Sequence, residues 1–158
     1  MVSTKRFSPT SKYYWMPLAL LFLIALSSRL YLDKILMFDG LYGQDAFTYY
    51  EYGLDVRHAI HNLQLPGPMF WPLGFPALLA GVSTIFGQTP SVAYHTVLMM
   101  SALIPPLTYL FAFDGLRLVG WTRTDSQRVG LIAALLTCFS GQLLQSSLVI
   151  MADIPSLF

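Results

Sequence analysis

Hydrophobic positions along the chain gather into three long runs, about 14–32, 91–113 and 129–151, with polar residues between them. Each run is near the roughly 20 predominantly apolar residues that a helix needs to cross a hydrocarbon core. A fourth apolar stretch, Trp71 to Phe86, only approaches the lower limit for spanning, and Pro72, Gly74, Pro76 and Gly81 weaken helix within it. It is expected to re-enter the membrane or lie at its surface. Between the first run and this stretch, Asp45 to Leu63 lacks proline and sets Phe47, Tyr50, Leu54 and Ile60 on an imperfect helical stripe. An amphipathic helix on the membrane surface follows, ended by Pro66-Gly67-Pro68, where phi restriction and a missing amide donor stop a helix. The predicted fold is all-α and integral to a membrane, with the amphipathic and re-entrant helices both in the loop 33–90. Ile154 to Phe158 begins a further apolar element. The expectation is therefore that 1–158 form the N-terminal part of a longer polytopic domain.

Composition agrees with a membrane solvent: 55% of residues are hydrophobic and 11% charged, and the mean hydropathy is +0.58. A net charge of +1 points to no nucleic-acid surface and no acidic partner. Cys138 is the single cysteine, which excludes a disulfide framework or a zinc-thiolate site within this chain. Lys5, Arg6 and Lys12 precede the first run as in a signal peptide, but the run is long and lacks a small-x-small cleavage site, so it reads as an uncleaved span.

Charge placement then reports topology. With three spans, the N-terminal tail and the loop Asp114 to Arg128 share one side and hold Lys5, Arg6, Lys12, Arg117, Arg123 and Arg128, six of the 9 lysines and arginines. That side is expected to be cytoplasmic. The loop 33–90 lies outside with Asp33, Asp39, Asp45, Glu51 and Asp55, and Asp153, at the end of the third run, shares its face. Counting Trp71 to Phe86 as a fourth span would place Arg117, Arg123 and Arg128 outside, against the positive-inside rule.

Several residues then stand in an order with chemical meaning. Arg29 falls near the outer end of the first span, Asp45 and Tyr49 follow in the outer loop, Trp71-Pro72-Leu73-Gly74-Phe75-Pro76 comes next, and Asp153 with Pro155 follows the third span. In this ordered set, covering nearly the whole chain, the sequence resembles the N-terminal part of the GT-C membrane glycosyltransferases, nearest to the bacterial protein mannosyltransferase-like and aminoarabinose transferase-like branch. The resemblance implies transfer of a sugar from a polyprenyl-phosphate donor to a lipid, glycan or protein acceptor. Transfer would take place with inversion, on the outer face of a bacterial inner membrane. It departs from the aminoarabinose and mannose transferases at Phe70 and Trp71, where those enzymes often carry an acidic or basic residue before the proline.

Under that resemblance Asp45 is the candidate base, since an acceptor hydroxyl attacks well only when a group within hydrogen-bond reach removes its proton. Asp45 and Asp153 could instead hold a divalent cation, the one cofactor implied, because a hard cation prefers oxygen ligands. Arg29 is the candidate contact to the donor phosphate, and Tyr49 a second substrate contact. Each has a plainer reading: Asp45 as an N-cap or first-turn residue held by free backbone amides, Asp153 as the mark of a span's end, Arg29 snorkelling to the interface, and Tyr49 as interfacial packing. His58 and His61 could share a metal or belong to a solvated charged face, and His95 reads as packing. A function from another class also fits these spans: a non-catalytic membrane subunit or a transporter fragment, in which carboxylates at membrane exits mark an ion or substrate path. The 158 residues alone are expected to be inactive.

Overall fold

The computed structural model describes residues 15–158; Lys5, Arg6, Lys12, Tyr13 and Tyr14 lie outside the described residues. Among the described residues there are six α-helices in order, α1 Trp15–Leu36, α2 Gly43–His61, α3 Gly74–Phe86, α4 Pro90–Leu118, α5 Arg123–Cys138 and α6 Gly141–Ser147, followed by a 3-10 turn Pro155–Leu157. No strand occurs among the described residues. α1 and α4, of 22 and 29 residues, are long and apolar enough to cross a membrane. α3 has 13 residues, so at 1.5 Å per residue it is about 20 Å long and falls short of a crossing.

The third apolar run is not one straight helix. α5 begins at Arg123, earlier than hydropathy indicates, because Thr122 caps it: the Thr122 hydroxyl oxygen accepts the Asp125 N–H at 3.2 Å and the hydroxyl donates to Asp125 Oδ2 at 2.6 Å. Arg123 and Arg128 therefore lie in the first turns of α5 instead of in a loop. The run then breaks at Phe139 and Ser140, where α5 and α6 meet at 53°, and beyond Ser147 the chain is no longer helical until the final turn. Only if the bent pair counts as one span are there three.

α4 is the axis of the molecule. Thr89 caps its start, its hydroxyl accepting the Val92 N–H, with Pro90 in the first turn, where a missing amide hydrogen costs nothing. α1 and α5 both pack against it in antiparallel sense: Leu18 and Leu21 meet Tyr109, while Ala25 meets Ala102 and Cys138. The buried residues of α5 are Ser126, Gly130, Ala134 and Cys138, a strip of small side chains at intervals of four. Such a strip lets two backbones approach closely. At Gly130 a β-carbon would stand 3.2 Å from both the Tyr109 ring and the Tyr109 carbonyl oxygen.

α2 and α3 run in the same direction and cross at Gly53, where a β-carbon would stand 2.9 Å from Leu79 Cβ. The buried face of α2 is Ala46, Tyr49, Gly53, Val56 and Ala59. The stripe of bulkier apolar residues lies away from this face: Phe47 and Ile60 are exposed and Tyr50 and Leu54 only partly buried. Close helix approach selects small residues for the contact and turns the bulky ones outward. The connection between the two helices is held by Tyr52, whose hydroxyl donates to the Gly67 carbonyl at 2.6 Å. The largest buried cluster joins this pair to the first half of α4 and to the end of the chain, with Tyr49, Phe75, Leu79, Tyr94, Leu98, Ile150 and Ile154 in its interior.

Candidate functional site

Asp45 lies in the first turn of α2, where free backbone amides and the positive end of the helix favour a carboxylate. It is not the N-cap; Tyr42 occupies that position and makes no side-chain cap. The carboxylate side of Asp45 is exposed while the next residue, Ala46, is fully buried. Asp153 has the same arrangement, exposed beside buried Ile154. Ala46 and Ile154 belong to one cluster, so both carboxylates stand on its rim. Asp153 does not end a helical span: it sits in the non-helical stretch beyond α6.

That stretch is held by a contact with no signature in hydropathy. The Ile150 N–H donates to the Gly40 carbonyl at 2.9 Å. Gly40 has φ +82°, and a β-carbon there would lie 2.8 Å from the Tyr94 ring, so the position needs glycine on two counts. The turn between α1 and α2 is thereby tied to the end of the chain, which brings Asp153 toward Asp45.

The Tyr49 phenol lies within electrostatic reach of both. Its ring is buried, edge-on to Phe75 with centroids 5.3 Å apart and 6.0 Å from the Trp71 ring. Burial first, and then the charges of Asp45 and Asp153, push the Tyr49 phenol above its ordinary value. Like any phenol it is a hydrogen-bond donor at neutral pH. Phe70 stands edge-on to Trp71 at 5.2 Å and is almost wholly exposed, so an apolar wall continues from the tyrosine to the surface. Asp45, Tyr49, the Trp71 to Pro76 element and Asp153, separated by up to about a hundred residues of chain, thus share one end of the molecule.

Arg29 does not join them. α1 continues to Leu36, so Arg29 is seven residues from its end, roughly 10 Å along the axis. The side chain is fully buried and does not snorkel. Nε donates to Ser101 Oγ and one terminal nitrogen to the Ala25 carbonyl at 3.0 Å, while the other terminal nitrogen has no partner among the described residues. Pro105 lacks the amide hydrogen that the Ser101 carbonyl would accept in a regular helix, so the guanidinium sits where α4 is already weakened. His95, expected as packing, is exposed, with Nδ1 2.7 Å from the Ser91 carbonyl oxygen.

Among the described residues, no group of three or more His, Cys, Asp or Glu side chains could hold a metal ion. The chain matches no family model, no curated protein and no solved structure.

Proposed function

We propose that the chain belongs to an inverting membrane glycosyltransferase that uses a polyprenyl-phosphate sugar, and that the Tyr49 end of the molecule is where transfer takes place. What supports this reading most is the meeting of Asp45, Tyr49, Trp71, Phe75 and Asp153 around one phenol. The acceptor hydroxyl attacks the anomeric carbon as Asp45 takes its proton, and the sugar–phosphate C–O bond breaks on the opposite side. The electron pair leaves with the polyprenyl phosphate. Tyr49 offers a donor to a sugar or acceptor oxygen, Trp71 and Phe70 give an apolar face for the ring, and Asp153 holds negative charge beside the developing positive charge. The end carrying Asp33, Asp39, Asp45 and Asp153 is the outer one, and the turn with Arg117, Arg123 and Arg128 faces the cytoplasm. Arg29, engaged with Ser101, is given a place in the bundle and none at the donor phosphate.

Asp45→Asn tests this in native membranes. The substitution keeps the size and the polar side chain but removes the base, so transfer is expected to fall at least about a hundredfold at unchanged abundance. Asp153→Asn should lose less, and Asp55→Asn, on the exposed side of α2, should be near wild type. Turnover of Asp45→Asn within a few-fold of wild type would remove the base from that residue. A loss that depends on added magnesium or manganese, abolished by chelator, would instead assign Asp45 and Asp153 to a cation. One observation favours a second reading: the break between α5 and α6 resembles the discontinuous helices of transporters. In that case Asp45→Asn would alter ion or solute flux and leave sugar transfer untouched.

A further inference from the structure

At the other end of α2, roughly 18 Å from Asp45 along the helix axis, a cavity of about 350 Å³ opens between the C-terminal ends of α2 and α3. It is lined by Arg57, His58, Ile60, His61 and Thr84. Arg57 is half-buried, its terminal nitrogens lie against the Gln88 side-chain amide, and its Nε is buried with no hydrogen-bond partner among the described residues. A buried N–H of a permanent cation without an acceptor is costly. His58 and His61 are exposed and make no side-chain hydrogen bond among the described residues. Thr84 donates its hydroxyl to the Ala80 carbonyl at 2.8 Å and so forms a wall, not a donor.

We infer that this pocket binds a phosphate group, with Arg57, His58 and His61 as its donors. A guanidinium and two imidazoles converge on one cavity. The arginine repels a cation that the histidine pair might otherwise share, whereas a phosphate accepts from all three. The nearest carboxylates on the same helix, Glu51 and Asp55, do not line the cavity. The wall also carries exposed Ile60, and Ile85 and Phe86 are exposed at the end of α3, so the phosphate of a lipid headgroup and a free phosphate are both sterically admissible sources. The inference does not depend on sugar transfer at Asp45.

The test uses the full chain. In lipid nanodiscs, native mass spectrometry compares retained phosphatidic acid with diacylglycerol of the same acyl chains, which differ only in the phosphate. In detergent, inorganic phosphate and pyrophosphate are titrated directly and as competitors. Phosphatidic acid is expected to be retained at least about tenfold over diacylglycerol, the scale of one charge-assisted hydrogen bond. Displacement by inorganic phosphate or pyrophosphate shows that the group alone suffices; retention without displacement assigns the site to a headgroup. Arg57→Gln and the double variant His58→Gln, His61→Gln should each weaken binding about tenfold or more, whereas Arg128→Gln, at the far turn, should not. The two histidines are exposed, so the double variant is expected to keep its helical circular dichroism even if Arg57→Gln does not fold. Equal retention of the two lipids with no binding of either soluble anion would overturn the inference, as would full binding by the folded double variant.

Discussion

Tyr49 is the residue on which the candidate site turns, and its phenol gives a readout that needs no substrate. Because burial and two carboxylates raise its folded pKa above the unfolded one, the folded chain holds that proton more tightly at alkaline pH. The corresponding stability is fully present below about pH 10 and is lost as pH rises through the raised folded value. A spectrophotometric titration of tyrosinate, with that of Tyr49→Phe subtracted from it, should isolate one group that ionises above the ordinary phenol range. In Asp45→Asn the same group should ionise earlier, since one of its two charged neighbours has gone. An unchanged Tyr49 titration in Asp45→Asn would separate the carboxylate from the phenol. Asp45, Tyr49 and Asp153 were all readable as candidates, because a carboxylate bordering an apolar run is conspicuous. Charge placement put both carboxylates on one face; the tie that draws their segments together, one backbone hydrogen bond between Ile150 and Gly40, has no signature in the sequence.

At the scale of helices, bulk misleads and small residues carry the contacts. Runs of apolar residues locate α1, α3 and α4 well, yet they hide the break at Phe139 and Ser140, because hydropathy passes smoothly over a point where only the backbone changes direction. Hydropathy likewise picks out Phe47 and Ile60, which lie on the exposed side of α2, and passes over Ala46, Gly53 and Ala59, which make the packed face. Thr122 and Asp125 did carry a local signal for the start of α5, a hydroxyl followed three positions later by a carboxylate. The strip Ser126, Gly130, Ala134, Cys138 makes a direct prediction. Gly130→Leu should force α5 away from Tyr109 and destabilise the chain by about 1–3 kcal/mol or more. Gly141→Leu, where a β-carbon meets nothing within 4 Å, should cost far less. Thermal unfolding in detergent, followed by circular dichroism, compares the two.

For the molecule as a whole, the bundle is polarised: carboxylates gather where α1 ends and α4 begins, and arginines gather at the α4–α5 turn. Single cysteines at Gln44, Gln88 and Thr124, all exposed positions, convert this into a topology measurement. An impermeant thiol reagent added outside should label the first two and not the third, with little background from the buried Cys138. Labelling at Thr124 would reverse the orientation or add a crossing, and would put Asp45 on the cytoplasmic side or part it from Asp153. The tie between Gly40 and Ile150 also has a consequence in time. Asp45 leaves the ribosome long before its companion: about 110 residues separate the two partners of that hydrogen bond, roughly 5–20 s of synthesis at ordinary elongation rates. Throughout that interval Tyr49 and Tyr94 lack the cover of Ile150 and Ile154, and α2 and α3 wait as an unfinished lid over the start of α4. A segment synthesised later thus closes the site that the α1–α2 turn begins.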